Sequence, residues 1–287
     1  MNRYKNCIAH NSSEGQLLIG TEQTALIDCG MAFCANETIR NIQNALGERH
    51  LDYIFFSHTH YDHIGALPFI KKEWPNARVV TSEAGANVLL KDTPRRVIRE
   101  LSINAAKVHG GIQDFSYSDD VFKADIIVKD TDKIPLGELT VEILETPGHT
   151  RDSLCFFIPE MELLILNETP GVLMPDGFMY PCYLTSFDDT IHSIEKCRNM
   201  PYKYLSLPHR GIASQKDTNG YFDKTLAINT ICRNFILEMK EKKLNEDEML
   251  EQFYQKYGSE TLLTYQPKEA FIANARATIT CTLKGTC

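Results

Sequence analysis

The sequence predicts an α/β protein, a layered domain of strands and helices followed by a purely helical extension. Three observations carry this expectation. Short apolar runs closed by glycine or polar residues alternate with stretches of helical spacing over residues 1–219. From Gly220 onward the strand signals stop, so residues 220–287 are expected to be helical. With 43% hydrophobic and 24% charged residues, a chain of 287 residues can bury a substantial core.

Taken in order, residues 16–20 and 24–28 are apolar strand runs, closed by Gly20 and Gly30. Ile39, Ile42 and Leu46 are spaced as on a helix over 37–46, with Gly47 as its stop. Residues 53–56 (Tyr-Ile-Phe-Phe) form a buried-strand run, 64–72 a helix and 78–81 another strand. Ser82 is placed to cap a helix over 83–90. Residues 91–123 are charged and helical in character, with Gly110-Gly111 in the middle, and are read as a helical insertion. Strands are expected at 124–128, 139–144, 154–158, 163–166 and 204–207, and a helix at 185–197. The extension should hold helices at 221–242, from the Asn245/Glu248 capping pair to Gly258, and at 268–282.

The net charge of −8 argues against a nucleic-acid surface, which needs a basic face. No apolar run approaches the roughly 18 residues of a membrane helix. Residues 10–16 are polar where a secretion signal needs its apolar stretch. The nine cysteines are odd in number, scattered, and never spaced C-x-x-C, which fits small core residues. Together these features point to a cytoplasmic protein.

The chemistry concentrates at His58-Thr59-His60-Tyr61-Asp62-His63, just past the end of the strand at 53–56. Neutral imidazole and carboxylate are good ligands for zinc and similar ions. His58 and His60 can converge on one ion from a turn, and Asp62 with His63 can reach a second beside it. There is no G-x-S-x-G, no P-loop and no cysteine beside a histidine to suggest another nucleophile.

This H-x-H-x-D-H pattern resembles the signature of the metallo-β-lactamase superfamily. The likeness continues through Asp28-Cys29-Gly30, Thr146-Pro147-Gly148-His149, Asn167-Glu168-Thr169 and Leu207-Pro208-His209-Arg210-Gly211, in that order. It implies an αββα sandwich of two mixed sheets flanked by helices. It also implies two divalent ions, zinc first and iron or manganese as alternatives. His58, His60 and His149 would hold one ion, Asp62, His63 and His209 the other, and Glu168 would bridge them. Asp28 would support a ligand histidine from behind. Glu168 departs from the pattern, because the family usually carries aspartate there, after glycine.

The resemblance further implies hydrolysis of an ester, thioester or lactone of a small molecule by a hydroxide held between the ions. Asp62 would orient that nucleophile and carry its proton. The helical extension resembles that of thioesterase and lactonase members. A phosphodiesterase, an iron-dependent redox enzyme and a non-catalytic ligand sensor are the alternatives. Phe115, Tyr117, Phe178, Tyr180 and Tyr183 are candidate pocket residues between the insertion and the extension. The expected partner is a small molecule, with neither nucleic acid nor membrane, and the extension offers a surface for a homodimer.

Overall fold

The computed structural model describes residues 3–11 and 13–284. One six-stranded sheet runs β1 (Tyr4–Asn6), β2 (Gln16–Ile19), β3 (Thr24–Ile27), β4 (Tyr53–Phe55), β5 (Arg78–Ser82) and β6 (Ile126–Val128), in that spatial order. β1 to β3 pair antiparallel and β3 to β6 parallel, so the sheet is mixed. The second sheet takes β7 (Lys133–Pro135), β8 (Thr140–Glu145), β9 (Leu154–Ile158) and β10 (Leu163–Ile165). A small hairpin of β11 (Val172–Leu173) and β12 (Met179–Tyr180) follows in the chain. β13 (Tyr204–Leu207) and β14 (Gly211–Ile212) then complete the second sheet, whose order is β14-β13-β10-β9-β8-β7. β10 and β13 are parallel and the other pairs antiparallel.

The two-residue side-chain period of a strand decides which layer each residue enters. Leu18, Ile27, Phe55 and Val80 of the first sheet meet Ile143, Phe156, Ile158 and Ile165 of the second, forming the core between the sheets. Their neighbours Leu17, Leu26, Ile54 and Val79 point the other way. There they pack under α1 (Ala35–Leu46), α2 (Tyr61–Ile64), α3 (Leu67–Glu73), α4 (Glu83–Leu89) and α5 (Asp92–His109). On the far side, Cys155, Phe157, Leu164 and Leu205 pack under α6 (Phe187–Arg198). The result is the αββα sandwich.

After the short α7 (Gln215–Thr218), α8 (Tyr221–Glu241) joins two cores. Tyr221 and Phe222 enter the layer under the second sheet, while Cys232, Ile236 and Met239 enter a helical core. That core is completed by α9 (Glu246–Tyr257), α10 (Glu260–Tyr265) and α11 (Lys268–Lys284). Asn245 caps α9 in a full capping box with Glu248. Among the described residues, no helix is long and apolar enough to cross a membrane.

Two expectations shift. The helix expected at 64–72 begins only at Leu67, as α3, and a separate turn of helix, α2, ends at Ile64. The carbonyl of His63, which would accept the amide of Leu67 in a continuous helix, instead accepts the amides of Cys29 and Gly30, both at 2.8 Å. The 91–123 segment is one helix only as far as His109, where Gly110 ends it at φ 79°. Its remainder is irregular chain around the one-turn 3-10 helix at Asp119–Val121, with Phe115 and Tyr117 tucked in.

Candidate metal centre

Every candidate ligand lies just past the C-terminal end of a strand, on a loop or, for Asp62 and His63, in the short helix α2. Asp28 follows β3, His58 to His63 follow β4, His149 follows β8, Glu168 follows β10, and His209 follows β13. β3 and β4 run parallel, and β8, β10 and β13 run the same way within their sheet. The loops therefore gather along one edge of the sandwich. The amide of Leu154 donates to the carbonyl of Ser57 at 2.7 Å and ties the two sheets together there.

The structure brings the seven candidate ligands into two overlapping groups. His58, His60, His149 and Glu168 form one, and Asp62, His63, Glu168 and His209 the other. Glu168 belongs to both. Its Oε2 lies 2.8 Å from His149 Nε2 and 3.4 Å from His58 Nε2, and its Oε1 lies 3.0 Å from His209 Nε2. Asp62 Oδ2 lies 3.7 Å from His63 Nε2 and 3.9 Å from His209 Nε2.

The side chains behind the ligands fix which nitrogen faces inward. His63 Nδ1 faces Asp28 Oδ2 at 2.9 Å, and His149 Nδ1 donates to the carbonyl of Cys182 at 2.9 Å. With the ring proton on Nδ1, each Nε2 presents a lone pair to the centre. A lone pair 2.8 Å from a carboxylate oxygen is repulsive unless a cation lies between them. His58 Nε2 and His63 Nε2 are buried without a hydrogen-bond partner, which also fits a metal ligand. The residues present fit divalent ions, and the mixed imidazole and carboxylate set suits zinc, iron or manganese.

Asp28 is fixed by two bonds from Ser57, one from its amide at 2.7 Å and one from its hydroxyl at 2.6 Å. Asp28 and His209 both adopt left-handed backbone, at φ 56° and 61°. Such conformations cost about 1–3 kcal/mol each for a residue other than glycine and persist where surroundings enforce them. At His209, the Glu14 carboxylate accepts the backbone amide. Glu14 and Ser13 lie against Gly30 (φ 76°), where a Cβ would meet Ser13 Oγ at 2.1 Å. Asn167, in the place of the family's glycine, works locally. Its Nδ2 donates to Thr146 Oγ1 at 2.8 Å and its Oδ1 accepts the amide of Thr169 at 2.7 Å, holding the Glu168 turn.

The protein's own charges oppose one another strongly here. Burial holds the His58 imidazole well below its ordinary value and takes His60 down to about 3. Burial also works against charge on His63 and His209, but neighbouring carboxylates outweigh it. They lift His63 to about 10, chiefly through Asp62 and Asp28, and His209 to about 9, chiefly through Glu168. Burial alone would raise the Glu168 carboxyl, but His149, His209 and His58 hold it well below the carboxylate range.

A cavity of about 390 Å³ opens over the cluster, with His60, Asp62, His149, Glu168 and His209 lining its inner end. Of the expected aromatic residues, only Tyr180 lines it. The other four are corrected. Phe115 packs edge-on against Phe69 at 6.3 Å, and Tyr117 lies under the Arg99 guanidinium at 4.1 Å. Tyr183 is fully buried, with its hydroxyl 2.9 Å from Thr282 Oγ1, and Phe178 sits at the surface near Tyr257. Large aromatic side chains with apolar neighbours fill cores instead of leaving space. The walls come from residues that the sequence did not single out, including Val97 and Leu101 of α5 and Leu262, Tyr265 and Ala270 near the C-terminus. Glu14, too, is missed by sequence reasoning, because 195 residues separate it from His209.

Comparison with known proteins agrees with this geometry. A nitric oxide reductase of Moorella thermoacetica is 28% identical over 155 residues, 54% of this chain and 33% of that protein. A hydroxyacylglutathione hydrolase of Francisella tularensis subsp. novicida is 27% identical over 120 residues, 42% of this chain and 34% of that protein. The match thus spans about a third of either relative. A metallo-beta-lactamase family protein from Thermus thermophilus superposes with a TM-score of 0.62 at 15% identity, over 99% of this chain and 95% of that one, a likeness of fold. Residues 16–209, from β2 to the last histidine of the cluster, match the profile of the metallo-beta-lactamase superfamily, and the chain belongs to that superfamily.

Proposed function

We propose that this chain is a hydrolase of esters, thioesters or lactones of small molecules, working with two divalent ions held by His58, His60, His149, Asp62, His63, His209 and Glu168. The observation that carries the reading is the pair of overlapping ligand groups sharing Glu168 at the closed end of a substrate-sized cavity. Ions in such a site, when bound, supply Lewis acidity and lower the pKa of water toward neutrality. The protein's part is to orient and to move a proton. Asp62 lines the cavity, with its Oδ2 3.7 Å and 3.9 Å from two ligand imidazoles. Burial, the largest influence on it, raises its carboxyl above the ordinary value. His149 is held in register by the carbonyl of Cys182, and His63 by Asp28. These contacts keep the centre preorganised instead of leaving it to assemble around substrate.

The relative named as a hydroxyacylglutathione hydrolase supports thioester or ester cleavage. The relative named as a nitric oxide reductase supports a redox enzyme as the second reading. One experiment separates them. The purified, metal-analysed protein is offered chromogenic esters, thioesters, lactones and phosphodiesters, beside His60→Ala and Asp62→Ala. Hydrolysis that both substitutions abolish supports the proposal. Full turnover and full metal content in His60→Ala would sink it, and a protein that holds iron and cleaves nothing on the panel favours the redox reading.

A further inference from the structure

We infer that the substrate is uncharged and carries a hydrocarbon chain, which lies between α5, the β11–β12 hairpin and α11 while its carbonyl faces Glu168. The inference rests on the hydrolase reading above and names its substrate class. Moving outward from the cluster, the cavity wall is built from Leu101 of α5, Val172 and Met174 at the hairpin, Leu262 of α10, and Ala270 and Ala273 of α11. These side chains cannot hydrogen-bond a polar group and offer apolar contact, while Tyr180, Tyr265, Gln266 and Asn274 add hydroxyl and amide groups to the same lining. Ala270 and Ala273 lie one helical turn apart on α11, and their small side chains leave the space that a longer residue would fill.

Charge narrows the class further. Among the described residues that line the cavity there is no lysine or arginine. Beyond the cluster's own Asp62 and Glu168, the charged side chain on the wall is Glu269, beside the amides of Gln266 and Asn274. A glutathione conjugate carries free carboxylates and a coenzyme A thioester carries phosphates. Either would bring anions to a wall that offers no counter-charge and one like charge. A neutral alkyl ester or lactone meets no such cost. At about 390 Å³ the cavity is of the size that encloses a small molecule, enough for a chain of several methylenes beyond the reacting group.

The test is a chain-length series. Metal-loaded protein is assayed with nitrophenyl esters from acetyl to decanoyl, and with S-lactoylglutathione as the anionic competitor. On this inference kcat/KM rises by up to about fourfold for each methylene buried, then levels once the cavity is full. The octanoyl ester outruns the glutathione thioester. Ala270→Phe, which fills the wall, shortens the preferred chain, so that kcat/KM falls further for the octanoyl ester than for the acetyl ester. Glu269→Lys shifts preference toward the glutathione thioester. A readout independent of turnover is the melting temperature, which octanamide should raise more than acetamide does. No cleavage of any ester, of the glutathione thioester or of the lactones in the panel above overturns the hydrolase reading itself. Cleavage with a flat or falling chain series, or with the glutathione thioester preferred, overturns this inference and leaves the hydrolase reading standing. Should Ala270→Phe lose the acetyl ester as well, the wild-type series and the amide shifts decide the matter alone.

Discussion

The carboxylate of Glu14 accepts the backbone amide of His209, linking the loop before β2 to the loop after β13. Glu14 is buried, and Gln16 Nε2 donates to its other oxygen at 3.4 Å. The amide it satisfies belongs to a residue in left-handed backbone. Removing the acceptor in Glu14→Ala leaves a buried amide unpaired, a cost of about 1–3 kcal/mol. It also frees His209 to turn away from Glu168. The expected result is a loss of metal from the Asp62–His63–His209 group, read as a fall from two ions per chain toward one by elemental analysis. Glu14→Gln keeps an oxygen acceptor and should retain both. Two tightly held ions in Glu14→Ala would show that the contact does not position His209.

Glu168 reaches both ligand groups, with its two oxygens 2.8 Å and 3.0 Å from His149 and His209. Glu168→Asp withdraws the carboxylate by one methylene, about 1.5 Å, because Asn167 and Thr169 fix the backbone on either side. Asp at this position should therefore bind metal more weakly here, by about tenfold or more, despite being the family's usual residue. Glu168→Gln should do worse, since it also removes the charge. Chelator competition measures both. An aspartate variant that binds as tightly as the parent would mean that the backbone yields.

Asp28 acts on the centre through His63. Asn tolerates the left-handed backbone of this position and preserves shape. Asp28→Asn thus removes the charge behind His63 Nδ1 and, because an amide nitrogen cannot accept, also gives up a bond from Ser57 or from His63. Metal affinity should fall by about 10–100-fold, while the melting temperature of the metal-free protein falls only by the loss of one buried hydrogen bond, about 1–3 kcal/mol. Unchanged affinity would reassign Asp28 to holding Ser57 alone.

In the helical extension, the Asn245–Glu248 capping box is exposed and distant from the cluster. Asn245→Ala should cost about 1 kcal/mol. For a chain of this size that is a fall of about 2–4 °C in Tm, with turnover preserved. Calorimetry beside an activity assay checks both halves.

What the sequence disclosed follows from where the physics is local. The strands whose residues alternate between two cores, such as Leu17/Leu18 and Val79/Val80, announce themselves by period. β1, β7 and β14 do not, because they are two or three residues long and are held by register with a neighbour. The ligands were legible for a similar reason, since a metal site needs particular residue types and four of the seven candidates lie within His58 to His63. Of their supports, Asp28 was legible and the others were not. The carbonyl of Cys182 has no sequence signature, and Glu14 meets His209 only after both sheets have formed. The cavity misled in a simple way. Aromatic residues drew attention to the wall, but a cavity is bounded by what is small, and Ala270 and Ala273 look like ordinary helix residues.

The candidate ligands and part of the cavity wall come from different stretches of chain. The last candidate ligand is His209, whereas α10 and α11 supply much of the wall. Alteration of that late segment leaves the ligand set intact. The late part of the wall can therefore drift without touching the cluster, whereas Leu101, Val172 and Met174 lie among the candidate ligands in sequence.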